Sequence, residues 1–281
     1  MTDRIAVIGA GQMGNGIAHV FAQAGFRVTM IDVAEGALGR GRAAIEKNLD
    51  RQIEKGTVPA SERQGILERV STHTSLHAVT GAALVVEAAT ENRDLKFKIF
   101  SEVDKLADQG SVLATNTSSI SITEIAARTS RPASVIGMHF MNPVPVMKLV
   151  EIIRGLATSD ETTRRTMEWS RAVGKTPVEV SDFPGFVANR ILMPMINEAV
   201  YCLMEGVGSA EAIDTVMKLG MNHPMGPLAL ADLIGLDTCL AILEVMHEGL
   251  GDPKYRPAPL LRKYVAAGWL GKKSGRGFHA Y

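Results

Sequence analysis

The stretch Val7-Ile8-Gly9-Ala10-Gly11-Gln12-Met13-Gly14-Asn15 contains the pattern G-x-G-x-x-G. Glycines recur by chance, so the pattern alone is weak, but its surroundings here are specific. The apolar run from Arg4 to Ile8 predicts a buried parallel strand before it, and Met13 to Ala24 predicts a helix after it. A second predicted strand, Arg27 to Ile31, ends at Asp32. The sequence therefore predicts a strand–turn–helix–strand unit that binds a dinucleotide.

Each glycine of this turn has a separate predicted task. Gly9 allows the tight turn, Gly11 leaves room for a pyrophosphate, and Gly14 lets the helix pack closely on the strand. Gln12 and Met13 lie within the turn and at the start of the predicted helix, and with the three glycines they are predicted to contact the cofactor. The first N–H groups and the positive dipole end of the helix favour phosphate. The alternative is a tight glycine turn in some other α/β domain.

Asp32 indicates which dinucleotide binds. A carboxylate at the end of the second strand can accept hydrogen bonds from both ribose hydroxyls and would repel a 2′-phosphate. The following residues, Val33 and Ala34, supply no cation for such a phosphate. We therefore predict NAD as the cofactor and not NADP.

Composition excludes several classes of protein. The 281 residues carry 30 basic and 30 acidic side chains, so we expect no nucleic-acid partner and no attraction to an anionic membrane. No apolar run approaches the roughly 20 residues of a membrane span. Met1 to Arg4 leads directly into the first predicted strand and leaves no room for a signal peptide. With only two cysteines, both in apolar helical segments, the sequence favours a cytoplasmic protein.

The rest of the chain divides into an α/β part and a helical part. Two polar, helix-spaced segments, Glu35 to Lys55 and Ser61 (as N-cap) to Val70, predict a helical hairpin inserted into the nucleotide-binding domain. Further strands are predicted at 84–89, 111–115, 134–138, 149–153 and 177–180, with a helix at 160–173. Helices alone are predicted afterwards, at 185–205, 210–219, 226–248 and 259–267. The prediction is a Rossmann-type, doubly wound, mostly parallel sheet (residues 1–183) followed by an all-α domain (residues 184–281) for substrate binding and dimerisation.

A nicotinamide-dependent reaction needs a residue that moves a proton, and His139 is the best candidate. It follows a buried strand and precedes the Pro-rich turn Asn142 to Pro145. Glu151 on the next strand could orient and stabilise its imidazole. A lone histidine at a strand end is more commonly a structural hydrogen-bonding residue. The pattern indicates no metal site.

Two further polar side chains are candidates for contacts with a substrate. Ser118 ends a neighbouring strand, where its hydroxyl could bind a substrate oxygen or simply cap a helix. Asn189 stands on a mostly apolar predicted helix, where it could reach a cleft or serve as a buried capping residue.

Together these motifs resemble the 3-hydroxyacyl-CoA dehydrogenase family, above all its bacterial 3-hydroxybutyryl-CoA members, over essentially the whole chain. Besides the glycine turn, the resemblance rests on Glu87-Ala88-Ala89-Thr90-Glu91-Asn92, Asn116-Thr117-Ser118-Ser119, Gly137-Met138-His139-Phe140-Met141-Asn142-Pro143, Pro184-Gly185-Phe186-Val187-Ala188-Asn189-Arg190, Gly226-Pro227 and Gly271-Lys272-Lys273-Ser274-Gly275-Arg276-Gly277-Phe278.

The resemblance implies an activity and roles for these residues. It implies NAD-dependent oxidation of an (S)-3-hydroxyacyl-CoA, with His139 as general base and Glu151 as its partner, and with Ser118 and Asn189 holding the substrate's reacting oxygen and thioester region. Lys55 in the inserted hairpin is implied to contact CoA. The implied NAD contacts are Asp32, Glu91, Lys96, Ser118, Asn142 and Lys273.

The resemblance also implies a homodimer formed through the helical domain. The apolar residues Met193, Met195, Ile196, Val200, Leu228 and Leu230 suit either that interface or a core. Asn48 stands where some relatives carry a CoA-contacting serine, which puts that contact in doubt, and His279 stands where tyrosine is usual, without an expected catalytic consequence. A dehydrogenase of sugar acids, a 3-hydroxyadipyl-CoA substrate, and a non-enzymatic NAD-binding protein stay open as alternatives.

Overall fold

A computed structural model describes residues 3–281 of the chain. The chain divides into a first unit that ends at Asp182 and a second unit, Phe183–Tyr281. Among the described residues, no helix is both long enough and apolar enough to cross a membrane.

The first unit alternates strands with helices. Its elements are β1 (Arg4–Ile8), α1 (Gln12–Gln23), β2 (Arg27–Ile31), α2 (Glu35–Glu54), α3 (Arg63–Glu68), β3 (Val70–His73), β4 (Leu84–Glu87), α4 (Arg93–Leu106), β5 (Val112–Thr115), α5 (Ile122–Ala126), β6 (Val135–Phe140), β7 (Leu149–Arg154), α6 (Asp160–Ala172) and β8 (Thr176–Ser181).

These strands form one sheet in the order β3-β2-β1-β4-β5-β6-β7-β8. Neighbouring strands are parallel except β6 and β7, which run antiparallel. The strand order reverses between β1 and β4, and in a doubly wound sheet the ligand lies beyond the carboxyl ends of the strands at that point. The glycine turn follows β1 directly, so the sheet places it at this edge.

Two predictions about the segment after α2 are wrong. Ser61 does not cap a helix, because a short 3₁₀ turn begins after Pro59 and α3 covers only Arg63–Glu68. Val70 is not helical, since it opens β3, which pairs with β2 in parallel. The strand was missed because it lies at the sheet edge, where only Val70 is buried and no apolar run marks it.

The second unit is helical, as predicted. Its helices are α7 (Ala188–Met204), α8 (Ala210–Gly220), α9 (Pro227–Ile234), α10 (Leu236–Leu250) and α11 (Pro259–Ala266). The single helix predicted over 226–248 is two helices, because Gly235 lies between them with φ of 103°, a conformation that interrupts a right-handed helix. The predicted fold class is confirmed: a mostly parallel Rossmann-type sheet followed by an all-α part.

Of the two roles considered for the apolar residues of the second unit, the structure shows core packing for most of them. Met193, Ile196, Val200 and Leu228 are buried in the core of this unit, and Leu230 packs against it. The apolar surface of the unit is formed by other residues. They include Ile191, Val207, Val216, Leu219, Met221 and Leu233, each at least half exposed.

The last residues of the chain are tied to two buried carboxylates. His279 contacts Asp214 through its Nε2 atom at 2.8 Å, and Asp232 accepts hydrogen bonds from the backbone N–H groups of Phe278 and His279. Asp214 also accepts from the backbone N–H of Leu228 at the start of α9. His279 therefore has a structural partner within its own unit.

β8 ends the sheet on one side. The backbone N–H of Thr176 donates to the carbonyl oxygen of Lys148, and that of Asp182 donates to Arg154, so alternate N–H groups of this strand face β7. Pro177, which has no N–H, occupies a position that faces away from β7.

Candidate active site

The glycine turn after β1 has little space for side chains at two of its three glycines. Gly9 has φ of 101°, and a Cβ atom there would lie 2.5 Å from the carbonyl oxygen of Ala88. A Cβ at Gly14 would lie 1.8 Å from the carbonyl oxygen of Gly9. Gly11 is different, because a Cβ there would meet no atom within 4 Å. The turn is thus closed on the protein side and open beside Gly11.

The open side fits a dinucleotide. Gly11 is the N-cap of the 12-residue helix α1, whose first-turn N–H groups have no carbonyl partner within the helix. Asp32 accepts hydrogen bonds from the backbone N–H groups of Ala10 at 2.9 Å and Ala34 at 3.0 Å. A carboxylate has about four acceptor positions, so two are left for ribose hydroxyls. Val33 beside it is 90% exposed and uncharged, which agrees with NAD and gives no support for a 2′-phosphate.

A cleft of about 560 Å³ extends from the glycine turn to α2. The amide of Gln12 donates to the Oδ1 atom of Asn142 at 3.1 Å and joins the turn to the loop after β6. Met13 packs partly buried against the core. Residues on α2 form the far wall of the cleft, among them Arg40, Asn48 and Arg51. Lys55 follows α2 and is exposed.

His139 and Glu151 are brought together as the sequence predicts. The Nδ1 atom of His139 lies 2.8 Å from the Oε2 atom of Glu151, and both side chains are almost fully buried. Because a carboxylate only accepts hydrogen bonds, the proton of this contact belongs to Nδ1. The neutral ring therefore keeps its lone pair on Nε2, which is the arrangement a general base requires.

Ser118 lies on the other side of the same imidazole. Its Oγ atom is 3.2 Å from Nε2 of His139. Glu91 holds the loop that carries this serine: its Oε1 atom accepts from the hydroxyl of Thr117 at 2.6 Å and from the backbone N–H groups of Ser118 and Ser119 at 2.9 and 3.1 Å. The hydroxyl of Ser119 is a fourth donor, at 2.9 Å.

Serine, histidine and glutamate in this order also occur in hydrolases, but the surroundings of Ser118 do not support acyl transfer. That chemistry needs backbone N–H groups aimed at a developing oxyanion. The N–H groups of Ser118 and Ser119 are bound to Glu91, and that of Ile120 is bound to Thr117. The serine hydroxyl is therefore suited to binding an oxygen atom beside the base and not to nucleophilic attack.

Lys96 is buried behind this loop, with 1% of its side chain exposed. Its ammonium donates to both carboxylate oxygens of Glu87 at 2.8 and 2.9 Å, and lies 3.4 Å from Glu91. Glu87 was not predicted as a site residue. The signal was present, because an acidic residue that ends the apolar run Leu84-Val85-Val86 must find a partner once it is buried. The contact of Lys96 with NAD stays a prediction.

Two other residues that support the site were missed. The side-chain oxygen of Asn116 accepts from the backbone N–H of Phe140, next to His139, at 2.9 Å. The ammonium of Lys175 donates to the carbonyl oxygens of Val144 and Met147 and holds the loop that begins at Asn142. Burial lowers the pKa of Lys175. Both depend on contacts between residues distant in sequence, for which no local pattern exists.

The predicted site residues of the second unit have defined surroundings within that unit. Asn189 is buried in the first turn of α7. Lys273 forms an ion pair with Asp237, with its ammonium 2.6 Å from Oδ1. Within residues 3–281, no group of three or more histidine, cysteine or acidic side chains is arranged to hold a metal ion.

The fold and the residues at its ligand-binding edge define an NAD-binding oxidoreductase of the Rossmann type. The model of the 3-hydroxyacyl-CoA dehydrogenase NAD-binding domain matches residues 4–183, and the model of the C-terminal domain of the same enzymes matches residues 185–281. The chain belongs to the 3-hydroxyacyl-CoA dehydrogenase family, and the predicted resemblance and NAD as cofactor are confirmed.

Individual relatives cover the chain almost completely. A probable 3-hydroxybutyryl-CoA dehydrogenase of Bacillus subtilis is 60% identical over 278 residues, which are 99% of this chain and 97% of the relative. A 3-hydroxybutyryl-CoA dehydrogenase of Bradyrhizobium diazoefficiens is 54% identical over 99% of this chain and 95% of its own length. The crystal structure of (S)-3-hydroxybutyryl-CoA dehydrogenase PaaH1 from Ralstonia eutropha superposes with a TM-score of 0.97 at 51% identity and covers 100% of this chain and 99% of its own.

Proposed function

We propose that this protein catalyses the reversible, NAD-dependent oxidation of a short-chain (S)-3-hydroxyacyl-CoA, with 3-hydroxybutyryl-CoA as the preferred substrate, to the 3-ketoacyl-CoA. The observation that carries the proposal is the position of the His139 imidazole between Glu151 at 2.8 Å and Ser118 at 3.2 Å. The names of the relatives support the short acyl chain.

His139 acts as the general base. Its Nε2 atom takes the proton from the substrate's 3-hydroxyl group, and the resulting imidazolium is stabilised by the carboxylate of Glu151. In the reverse direction the imidazolium returns the proton to the ketone oxygen. A general base of this kind contributes typically about 10²–10⁴-fold to the rate.

NAD, when bound, accepts the hydride that leaves C3 of the substrate. The residues proposed to hold it are those of the glycine turn, Gly9, Gly11, Gln12, Met13 and Gly14, together with Asp32, Glu91, Lys96, Ser118, Asn142 and Lys273. The open space at Gly11 and the position of Asp32 support this assignment.

Ser118 and Asn189 orient the oxygens of the substrate. A hydroxyl next to Nε2 of His139 can donate to the 3-oxygen while the base holds its proton. Fixed orientation of reacting groups can supply about 7–11 kcal/mol of the reduction in the barrier, more than a general base contributes. Asn189 is proposed for the thioester region.

The CoA moiety is proposed to bind along α2. Arg40 and Arg51 line the cleft there, and Lys55 follows Arg51 by one helical turn, so this stretch carries cations that can bind phosphate groups, which supports the proposal. Asn48 lines the same cleft, so an amide can serve where some relatives have serine.

We further propose a cytoplasmic homodimer formed through the second unit. The apolar surface of this unit includes Leu219, 81% exposed, and Val216 and Met221, each 60% exposed. Large exposed apolar side chains that are close in sequence are typical of contact surfaces. Light scattering after gel filtration tests the dimer, and the variant Leu219→Glu is expected to yield monomer.

The activity is tested by following NADH absorbance with acetoacetyl-CoA. We expect rapid oxidation of NADH, much slower oxidation of NADPH, and a lower rate with a longer 3-ketoacyl-CoA or with 3-ketoadipyl-CoA. If no acyl-CoA supports oxidation while NADH still binds, the proposed reaction is wrong and 3-keto sugar acids become the next substrates to test.

A further inference from the structure

Two carboxylates and one ammonium form a buried chain of ion pairs behind Ser118. Glu87 lies at the end of β4 with 1% of its side chain exposed, and Lys96 lies in the first turn of α4, equally buried. Glu91 lies between the two elements and is the partly exposed member. We name these three residues the buried ion triad.

Both carboxylate oxygens of Glu87 are fully hydrogen-bonded. Besides the two hydrogen bonds from Lys96, its carboxylate accepts from the backbone N–H of Ala89 and from the hydroxyl of Thr115, both at 2.7 Å. Each carboxylate oxygen therefore has two donors. Such complete satisfaction is what makes a buried charge tolerable.

Lys96 connects Glu87 to Glu91, which holds the loop that carries Ser118. Its ammonium is fixed by Glu87 and the carbonyl oxygen of Ala89, and from there it faces Oε2 of Glu91 at 3.4 Å. The other oxygen of Glu91 accepts the four hydrogen bonds from Thr117, Ser118 and Ser119. One fixed cation thus keeps one carboxylate in place, and that carboxylate orders three consecutive residues.

The geometry points to Glu87 and Lys96 as positioning residues, which hold Ser118 beside His139 by keeping Glu91 charged and in place. The inference rests on the proposed function, since it assigns Ser118 to the substrate's reacting oxygen. Neither Glu87 nor Lys96 needs to touch the substrate for this role.

The electrostatics of Glu91 agree with the geometry. Partial burial raises the pKa of this carboxyl, but the Lys96 ammonium and the hydrogen bonds from Thr117, Ser118 and Ser119 outweigh burial and hold the pKa below its usual value. A protonated Glu91 would lose its charge, its attraction to Lys96 and part of its capacity to accept the hydrogen bonds from this loop. The loop order is therefore present above the ordinary pKa of a glutamate and is lost as the pH falls through the depressed value.

The test uses the reduction of acetoacetyl-CoA by NADH, because His139 donates a proton in this direction, so added acid does not remove the form of His139 that reacts. We compare the acid limb of the kcat profile in the wild type, in Lys96→Met and in Lys98→Met, an exposed cation of the same helix. An opposite charge at this distance lowers a carboxyl pKa by about 1–3 units, so the acid limb of Lys96→Met should move up by about one pH unit. The kcat profile of Lys98→Met should superimpose on that of the wild type.

The double variant Glu87→Gln/Lys96→Met separates positioning from stability. Removing both partners of a buried ion pair is often neutral for stability, whereas removing one is costly. We expect the double variant to unfold near the wild-type temperature and to keep the shifted acid limb, because Glu91 still lacks its cation. A double variant with the wild-type profile would overturn the inference.

Two further measurements test whether Glu87 and Lys96 position Ser118. If Lys96→Met does not fold, Glu87→Gln alone is expected to lower kcat about tenfold with KM for acetoacetyl-CoA within about twofold, and an unchanged kcat would contradict the role. A crystal structure of the double variant at a pH below its shifted acid limb should show the Glu91 Oε1 to Ser118 N distance, 2.9 Å here, lengthened beyond hydrogen-bonding range. This distance tests the inference even if the wild type proves inactive on acyl-CoA, which would refute the proposed function separately.

Discussion

His139 and Glu151 are directly paired residues of β6 and β7, joined across the antiparallel pair of the sheet. His139 lies near the end of β6 and Glu151 near the start of β7, so a reversal of strand direction is needed to place them side by side. Directly opposed side chains in an antiparallel pair have Cβ atoms about 4.5–5.5 Å apart, which suits the observed 2.8 Å contact between the two functional groups. The change of strand direction within an otherwise parallel sheet thus has a chemical use.

Glu151→Gln should lower kcat by about 10–100-fold, because a hydrogen bond to a charged group is worth about 1.5–3 kcal/mol and the amide cannot neutralise the imidazolium. NADH affinity should be unchanged, as measured by calorimetry. Glu179→Gln, an exposed acid on β8, is the matched control and should behave as the wild type. Equal losses in both variants would refute the charge-stabilising role of Glu151.

His139→Gln should reduce kcat by about 10²–10⁴-fold, the range expected for loss of a general base. The amide has a similar size, so the fold and NADH binding should persist. Steady-state kinetics and calorimetry on the same preparation check both statements. Turnover near the wild-type rate would remove His139 from the proposed mechanism.

Asp32→Ala should weaken NADH binding by about 100-fold or more and change KM for acetoacetyl-CoA much less, because two hydrogen bonds from ribose hydroxyls to a charged group, each worth about 1.5–3 kcal/mol, are lost. The preference for NADH over NADPH should fall as well, since the carboxylate no longer repels the 2′-phosphate. Glu35→Ala, three residues further along, is the control. Unchanged NADH affinity in Asp32→Ala would contradict the assignment.

Gly11→Ala should impair cofactor binding, whereas Gly14→Ala should impair folding. Gly11 has φ of −64° and open space beside it, so Gly11→Ala should fold with a wild-type melting temperature but bind NADH about tenfold or more weakly, because the methyl group enters the space assigned to the cofactor. Gly14→Ala should fail to fold stably, since its Cβ would overlap the carbonyl oxygen of Gly9. Melting curves with and without NADH distinguish the two. A Gly11→Ala protein with unaltered NADH affinity would show that the open side is not the pyrophosphate site.

His19 should make the first unit sensitive to acid. Burial lowers the pKa of this α1 histidine from 6.5 to about 4, against the neighbouring Gln52 and Gln23 amides, which favour the protonated ring, while Lys175 adds to the lowering. The unfolded chain therefore binds the extra proton first, and stability is lost as the pH falls from about 6.5 towards 4. The loss between pH 7 and 5 should be about 2 kcal/mol.

Urea unfolding at the two pH values measures this loss. His19→Gln should lose less stability between pH 7 and 5 than the wild type, whereas His77→Gln, at an exposed position, should match it. If His19→Gln and the wild type lose the same amount, buried His19 is not the group responsible.

Sequence patterns correctly predicted those elements whose own residues form a clear local pattern. The glycine turn, β1 and β2 were predicted because apolar runs and turn residues lie next to one another. The edge strand β3 was missed because burial of a single residue gives no period to detect. Gly235 was read as part of one helix, since a glycine within an apolar helical pattern does not reveal its φ.

The same distinction holds for the residues of the candidate active site: residues marked by their place in one segment were predicted, and residues that depend on long-range contacts were not. His139 could be singled out by its place at a strand end, and Glu151 by its place on the next strand. The link from Glu87 through Lys96 to Glu91 could not be predicted, because it depends on which of several carboxylates a buried ammonium meets after folding.

Pro177 protects the open side of the sheet from other chains. An unpaired edge strand offers its outward N–H groups to any extended segment, which is a route to aggregation. In β8 those groups belong to alternate residues, and Pro177 removes the first of them, while Glu179 places a charged side chain at the next. Replacement of Pro177 by a β-branched residue would restore an outward N–H group at this border of the sheet and is expected to favour association of two chains through β8.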